Sequence, residues 1–240
     1  MAEKDPTLWT AKTEAHAEIK DRLGWLVAPE SGLPQVAELE QFTTECLEAG
    51  YKKALLIGMG GSSLAPEVMA LTLGVDASKG LELKIIDSTD PLQLKAALKW
   101  ANLSETLFIV SSKSGSTSEI DALFNIFWDK AVKRLGKKAP QHFIAITDPG
   151  SSLEKMGLEK QFRKVFLADS SVGGRFSALI AFGLVPAVLM GIDLNQLLGK
   201  AAAMASKCSA EIPAGANPGL VLGTILGEAA KSGMDKLSIV

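Results

Sequence analysis

Ile57-Gly58-Met59-Gly60-Gly61-Ser62-Ser63-Leu64-Ala65-Pro66 stands between an apolar, strand-like run and a helix-like segment. Glycines at a strand end let the backbone come close to a ligand, while hydroxyls and free helix-start amides offer donors to an anion. The Gly58-x-Gly60 spacing also invites a dinucleotide-binding reading, but Ser63 stands where the third glycine of G-x-G-x-x-G belongs. An acidic residue, Asp87, does close the next apolar run. Three readings stay open from this stretch alone: a dinucleotide loop, a purely structural turn, and hydroxyl-lined recognition of a sugar phosphate.

Ser111-Ser112-Lys113-Ser114-Gly115-Ser116-Thr117-Ser118-Glu119 narrows the choice. It too follows an apolar run and opens a helix, and every residue except Gly115 and Glu119 carries a hydroxyl or ammonium donor. Ser116 with Glu119 fits a capping box, which would occupy a hydroxyl without involving a ligand. One cap leaves the other hydroxyls unexplained, and anion binding explains them. A phosphate monoester carries nearly two negative charges near neutral pH, more than Lys113 alone neutralises, so amides and hydroxyls must share the work.

Gly173-Gly174-Arg175-Phe176-Ser177 is the third element. Its glycines permit close backbone approach and Arg175 presents a fixed fork of donors. Arg175 either pairs with a carboxylate such as Asp169 or stabilises charge developing on a substrate oxygen. In Asp87-Ser88-Thr89-Asp90-Pro91 the two aspartates serve equally well as sugar-hydroxyl contacts or as caps of a helix starting near Pro91. His16 sits in an N-terminal helical context and His142 at the wrong end of a strand for a sheet-edge site, so both read as structural. Glu119 reads as a cap and Glu228 as a solvated or partner-facing residue.

Along the chain, short β-prone runs at Lys53–Ile57, Glu82–Ile86, Leu107–Ser111, Phe143–Thr147 and Lys164–Leu167 alternate with helix-like segments near 64–73, 91–101, 118–135 and 151–157. Strands apolar enough to be covered on both faces indicate a parallel sheet between helix layers, with ligands at its carboxyl edge. The expected fold is α/β, a flavodoxin-like three-layer sandwich. Helices are also predicted over 7–27 and about 33–49, and after Asp169 over 178–191 (broken or bent at Pro186), 193–208 and 219–231, with a strand beginning at 236–240. The predicted units are an N-terminal helical segment (1–32), a first α/β domain with its following helices (33–210), and the start of a second α/β domain (211–240), read as cut at its last residue.

Composition sets the bounds. In 240 residues, 47% are hydrophobic, ample for a core, and a net charge of −2 gives no footprint for nucleic acid or an anionic membrane. No run approaches the roughly 18–20 apolar residues of a membrane span, and no signal-like start is present, so a cytoplasmic protein is expected. Cys46 and Cys208 lie in helix-like contexts and are expected to be buried, reduced thiols. No clustered ligand set points to a metal, and no organic cofactor is indicated.

Taken in order, the three motifs resemble the phosphoglucose isomerase family of the sugar isomerase (SIS) domain superfamily, over about residues 54–190. Gly-Gly-Arg-Phe-Ser is the most specific of them, because it separates this family from other SIS proteins. Arg22-Leu23-Gly24-Trp25-Leu26 is similar to the opening of the isomerase half of bacterial transaldolase–phosphoglucose isomerase fusions. The resemblance implies a phosphate pocket at Ser62, Ser112, Lys113, Ser114 and Thr117, with Gly61 bringing backbone near the sugar. It also implies that Arg175, with Gly174 beside it, stabilises an enediolate during aldose–ketose isomerisation of glucose 6-phosphate. Ser63 and Ala65 in the first loop, and Gly115 with serines for threonines in the second, depart mildly from the pattern. In the family, the glutamate base and the ring-opening histidine and lysine lie in a second SIS domain and C-terminal segment beyond this chain. Isolated turnover is therefore expected to be negligible. A non-catalytic sugar-phosphate sensor and an amino-sugar isomerase are the competing readings. Family members commonly dimerise, so a homodimer is expected as a possibility.

Overall fold

In a computed structural model that describes residues 4–238, five strands form one sheet: β1 (Lys53–Gly58), β2 (Glu82–Ile86), β3 (Thr106–Ser111), β4 (Phe143–Thr147) and β5 (Lys164–Leu167). All pairings are parallel and the order is β2-β1-β3-β4-β5. This is the flavodoxin-like order, in which the chain leaves β1 toward one edge and returns through β3 toward the other. The crevice at that switch point is where such sheets hold ligands, and register sets its floor: Gly58 lies opposite Ser111.

Alternation along the strands supplies two cores. Ala54, Leu56, Leu107, Ile109, Ile144 and Ile146 face one side, against α3 (Val36–Glu48), α8 (Ala181–Leu189) and α9 (Leu194–Lys207). Leu55, Ile57, Phe108, Val110, Phe143 and Ala145 face the other, against α5 (Pro91–Trp100), α6 (Ser118–Leu135) and α7 (Ser152–Glu159). α3 buries Val36, Leu39, Phe42, Thr43 and Cys46, the three-and-four spacing of a one-sided helix. On the opposite layer Phe143 stacks on Phe108 with centroids 4.8 Å apart and meets Trp128 at 5.1 Å. α4 (Leu64–Leu73) leads from β1 to β2. None of the described helices is long and apolar enough to cross a membrane.

Several expectations need correction. The helix predicted over 7–27 is instead a series of short pieces: 3-10 turns at Pro6–Leu8, Thr13–Ala15 and Gly24–Val27, with one short α-helix, α1 (His16–Asp21). Tertiary contact overrides local preference there. Leu23 forms an antiparallel bridge with Val172, the Gly24 amide donates to the Ser171 carbonyl at 3.2 Å, and Trp25 stacks on Phe176 at 5.2 Å. The helix predicted over about 33–49 opens with a 3-10 turn at Leu33–Gln35 before α3, and the residues just ahead of it form a further short helix, α2 (Ala28–Gly32). Pro186 lies inside α8. The interruption falls earlier, where Ile180 is extended between that helix and the 3-10 turn Gly174–Leu179. Cys46 is buried as expected but Cys208 is exposed. α10 (Pro218–Lys231) forms as predicted, yet residues 234–238 show no strand, and 239–240 lie outside the described residues.

His142 confirms its structural reading. It is 9% exposed, donates from Nδ1 to the Thr106 carbonyl at 3.1 Å, and meets Tyr51 edge-on. Burial pushes the imidazole below its usual 6.5, outweighing the upward pull of the Thr106 carbonyl. Below about pH 6.5 the unfolded chain therefore binds a proton that the folded chain refuses, and stability falls as the pH drops. Melting temperatures between pH 7 and pH 5 should decline less steeply in His142→Gln than in the unsubstituted chain. Identical slopes would remove His142 as the cause.

Candidate functional site: an anion pocket at the switch point

The first loop leaves β1 through Met59 and makes a 3-10 turn at Gly60–Ser62, with Gly60 at φ +55°, a conformation that favours glycine. Gly61 needs its missing side chain for a different reason. A Cβ there would lie 2.4 Å from the Gly174 carbonyl oxygen, so the first and third motifs meet backbone to backbone. The Ser177 hydroxyl clips that contact, lying 2.8 Å from the carbonyls of both Gly61 and Gly174. Ser62 is buried, and its carbonyl accepts from the Ser111 hydroxyl at 3.0 Å, which ties the first loop to the second.

The second loop folds around Ser112, whose hydroxyl accepts from the Gly115 amide at 3.1 Å and lies 3.3 Å from Thr117 Oγ1. Gly115 is at φ +71°, and a Cβ on it would sit 2.6 Å from the Leu153 amide nitrogen. The capping box expected from Ser116 and Glu119 is not formed. Thr117 occupies the N-cap of α6 and makes no side-chain capping bond, because its hydroxyl is turned toward Ser112. The first-turn amides of an eighteen-residue helix consequently have no side-chain cap. A helix start of this kind carries partial positive charge, suited to an anion.

Lys113 is more constrained than its sequence context shows. Its ammonium lies 2.7 Å from Asp148 Oδ2 and donates to the Ser170 carbonyl at 3.0 Å. Asp148 follows β4 in Thr147-Asp148-Pro149-Gly150, and its own amide donates to the Lys113 carbonyl at 3.2 Å. Sequence reasoning passed over this residue. The signal was available, since Asp148 closes a strand next to β3 and so must emerge at the same sheet edge. Ser177, quoted only as part of the third motif, was also given no role.

One cavity of about 390 Å³ is lined by Gly61, Ser62, Ser112, Lys113, Ser114, Thr117 and Gly174, together with Asp148 and Ser177. The residues that the family resemblance placed in the site therefore converge, with one exception. Arg175 is exposed, does not line that cavity, and makes no ion pair among the described residues. The pairing with Asp169 considered for it is absent, because Asp169 accepts instead from the amide and hydroxyl of Ser171 at 2.9 and 2.7 Å. Asp90 resolves as a cap, accepting from the Leu92 and Gln93 amides at 2.9 and 3.0 Å, and Asp87 is exposed away from the cavity. Glu228 is an exposed residue paired with Lys231.

Comparison with known proteins follows the same lines. Residues 46–228 match the family described as Phosphoglucose isomerase. The chain is 31% identical over 200 residues to a glucose-6-phosphate isomerase of Carboxydothermus hydrogenoformans, covering 80% of this chain and 43% of that protein. It is 36% identical over 202 residues to one from Synechococcus sp. (strain JA-3-3Ab), covering 75% of this chain and 37% of the relative. Among solved structures, a hypothetical protein of Thermus thermophilus superposes with TM-score 0.79 at 27% identity, over 94% of this chain and 52% of that one. A glucose-6-phosphate isomerase of Chlamydia trachomatis gives TM-score 0.64 at 26% identity, over 86% and 38%. This chain thus spans less than half the length of these two curated relatives. With three ordered motifs on one pocket and a family match across most of its residues, the chain belongs to the phosphoglucose isomerase family.

Proposed function

We propose that this chain holds the phosphate-gripping part of a glucose-6-phosphate isomerase, the enzyme that interconverts glucose 6-phosphate and fructose 6-phosphate through a cis-enediol(ate). The observation that carries the reading is the meeting of Ser62, Ser112, Lys113, Ser114 and Thr117 at one cavity, beside the uncapped start of α6. A dianionic ester is there met by one ammonium, several hydroxyls and helix-start amides. Gly61 and Gly174 bring backbone to the wall where the sugar would lie. The proposed role of Arg175 is to stabilise the enediolate oxygen as a proton moves between C1 and C2. It stands next to Gly174 with its guanidinium uncommitted to any carboxylate among the described residues.

Proton transfer also needs a base. Among the described residues Asp148 is the only carboxylate lining the cavity, and it is engaged by Lys113. On this reading residues 211–240, with α10 exposing Leu220, Leu222 and Ile225, open a second SIS unit. A cytoplasmic location fits this reading, because a doubly charged hexose phosphate does not cross a lipid membrane unaided.

Titration of the chain with glucose 6-phosphate should shift the amide resonances of Gly61, Gly115 and Ser118. Titration that leaves them unmoved would overturn the reading. Turnover by the chain alone is expected to be negligible, and rates in the ordinary enzyme range of roughly 1–1,000 per second would contradict it. Gly61→Ala, whose Cβ collides with Gly174, should weaken sugar-phosphate binding at least about tenfold, the scale of one lost charge-assisted bond. Arg175→Ala, by contrast, should leave affinity in calorimetric titration little changed, because Arg175 lies off the cavity wall.

A further inference from the structure

We infer that Asp148 is a positioning residue of the anion pocket, fixing the Lys113 ammonium in place and keeping hold of it when phosphate binds. This deepens the phosphate-site reading and rests on it. Lys113 spans three strand ends. It follows β3, its ammonium lies 2.7 Å from Asp148 Oδ2 after β4, and it donates to the Ser170 carbonyl after β5 at 3.0 Å. Of its three N–H donors one is committed to the Ser170 carbonyl, and the charge is paired with Asp148, so donor capacity remains for a ligand. The pair is also largely withdrawn from solvent, with the lysine side chain 26% and the aspartate 17% exposed. It is therefore not an ordinary surface ion pair of marginal strength.

The second oxygen of Asp148 decides whether Lys113 can be released. Oδ1 is buried and has no hydrogen-bond partner among the described residues. Among the described residues, the compensation this carboxylate receives comes through Oδ2 from Lys113. A lysine that swung away to the phosphate would leave both oxygens unpaired in a poorly solvated position, which is the costly way to break such a pair. The ammonium therefore stays, and phosphate is gripped by its remaining donor capacity together with the amides and hydroxyls around it. The mount is stiff: the Asp148 amide donates to the Lys113 carbonyl at 3.2 Å, and Ser152 Oγ donates to the Gly115 carbonyl. Asp148 also brings a negative charge near a dianion. Two opposed effects thus compete, and positioning is inferred to outweigh repulsion.

The test uses the 240-residue chain with inorganic phosphate and glucose 6-phosphate, read by calorimetric titration, thermal unfolding and ¹H–¹⁵N spectra of the lysine ammonium groups. Asp148→Asn should weaken binding of both ligands roughly tenfold, the scale of one charge-assisted hydrogen bond. A protected Lys113 ammonium signal should be present in the unsubstituted chain, survive saturation with phosphate, and vanish in Asp148→Asn. Lys113→Met should abolish binding and lower the melting temperature by roughly 5–10 °C, because it strands the carboxylate. Lys113→Met with Asp148→Asn should regain most of that temperature without regaining binding. Equal or tighter binding by Asp148→Asn overturns the positioning role, as does a Lys113 signal that leaves its protected position when phosphate is added. If the unsubstituted chain binds neither ligand, the pocket reading itself fails and the positioning role falls with it.

Discussion

Parallel pairing of β1 with β3, in the register that sets Gly58 opposite Ser111, is the constraint from which the pocket follows. Each strand is extended and nearly fully buried, so its register is held by side chains on both faces. Once those two strand ends lie side by side, the glycine turn after one and the hydroxyl loop after the other open onto the same crevice. The Ser111 hydroxyl bonded to the Ser62 carbonyl then locks the two loops together. β4 and β5 extend the same edge and deliver Asp148 and Ser170 to Lys113.

The pocket is assembled mainly from groups that carry no net charge. Hydroxyls, the first-turn amides of α6, and close backbone at Gly61 and Gly174 surround one lysine whose charge is already opposed by Asp148. Such a site grips an anion through oriented dipoles that need little rearrangement, and it exposes no strong field when empty. That agrees with a chain whose overall charge is close to neutral. The third motif adds reach. Its 3-10 turn is clipped to the first loop by Ser177 and propped from behind by Leu23, Gly24 and Trp25. Arg175 therefore hangs from a braced turn while its own side chain stays in solvent.

Most of the architecture was legible because its signals are local. Five β-prone runs alternating with helices gave the layered fold, and each named run became a strand. The N-terminal region misled for the opposite reason: its residues favour helix in isolation, but pairing with residues 171–176 takes the end of the segment into a bridge and a 3-10 turn. The capping box at Ser116 and Glu119 failed similarly, since Thr117 took the cap position and turned its hydroxyl to Ser112.

What the sequence by itself determined is the kind of chemistry on offer: glycines where backbone must come close, hydroxyls and a lysine after strands, and Gly-Gly-Arg-Phe-Ser as a family signature. These depend on residue type and on position relative to a strand end, and both can be read in one dimension. Tertiary structure alone decided how those groups are spent. It gave Lys113 to Asp148 and Ser170, left Arg175 off the cavity wall, and pressed Gly61 against Gly174. Each of those outcomes joins residues that are distant along the chain, and only the order and register of the strands bring them within bonding distance.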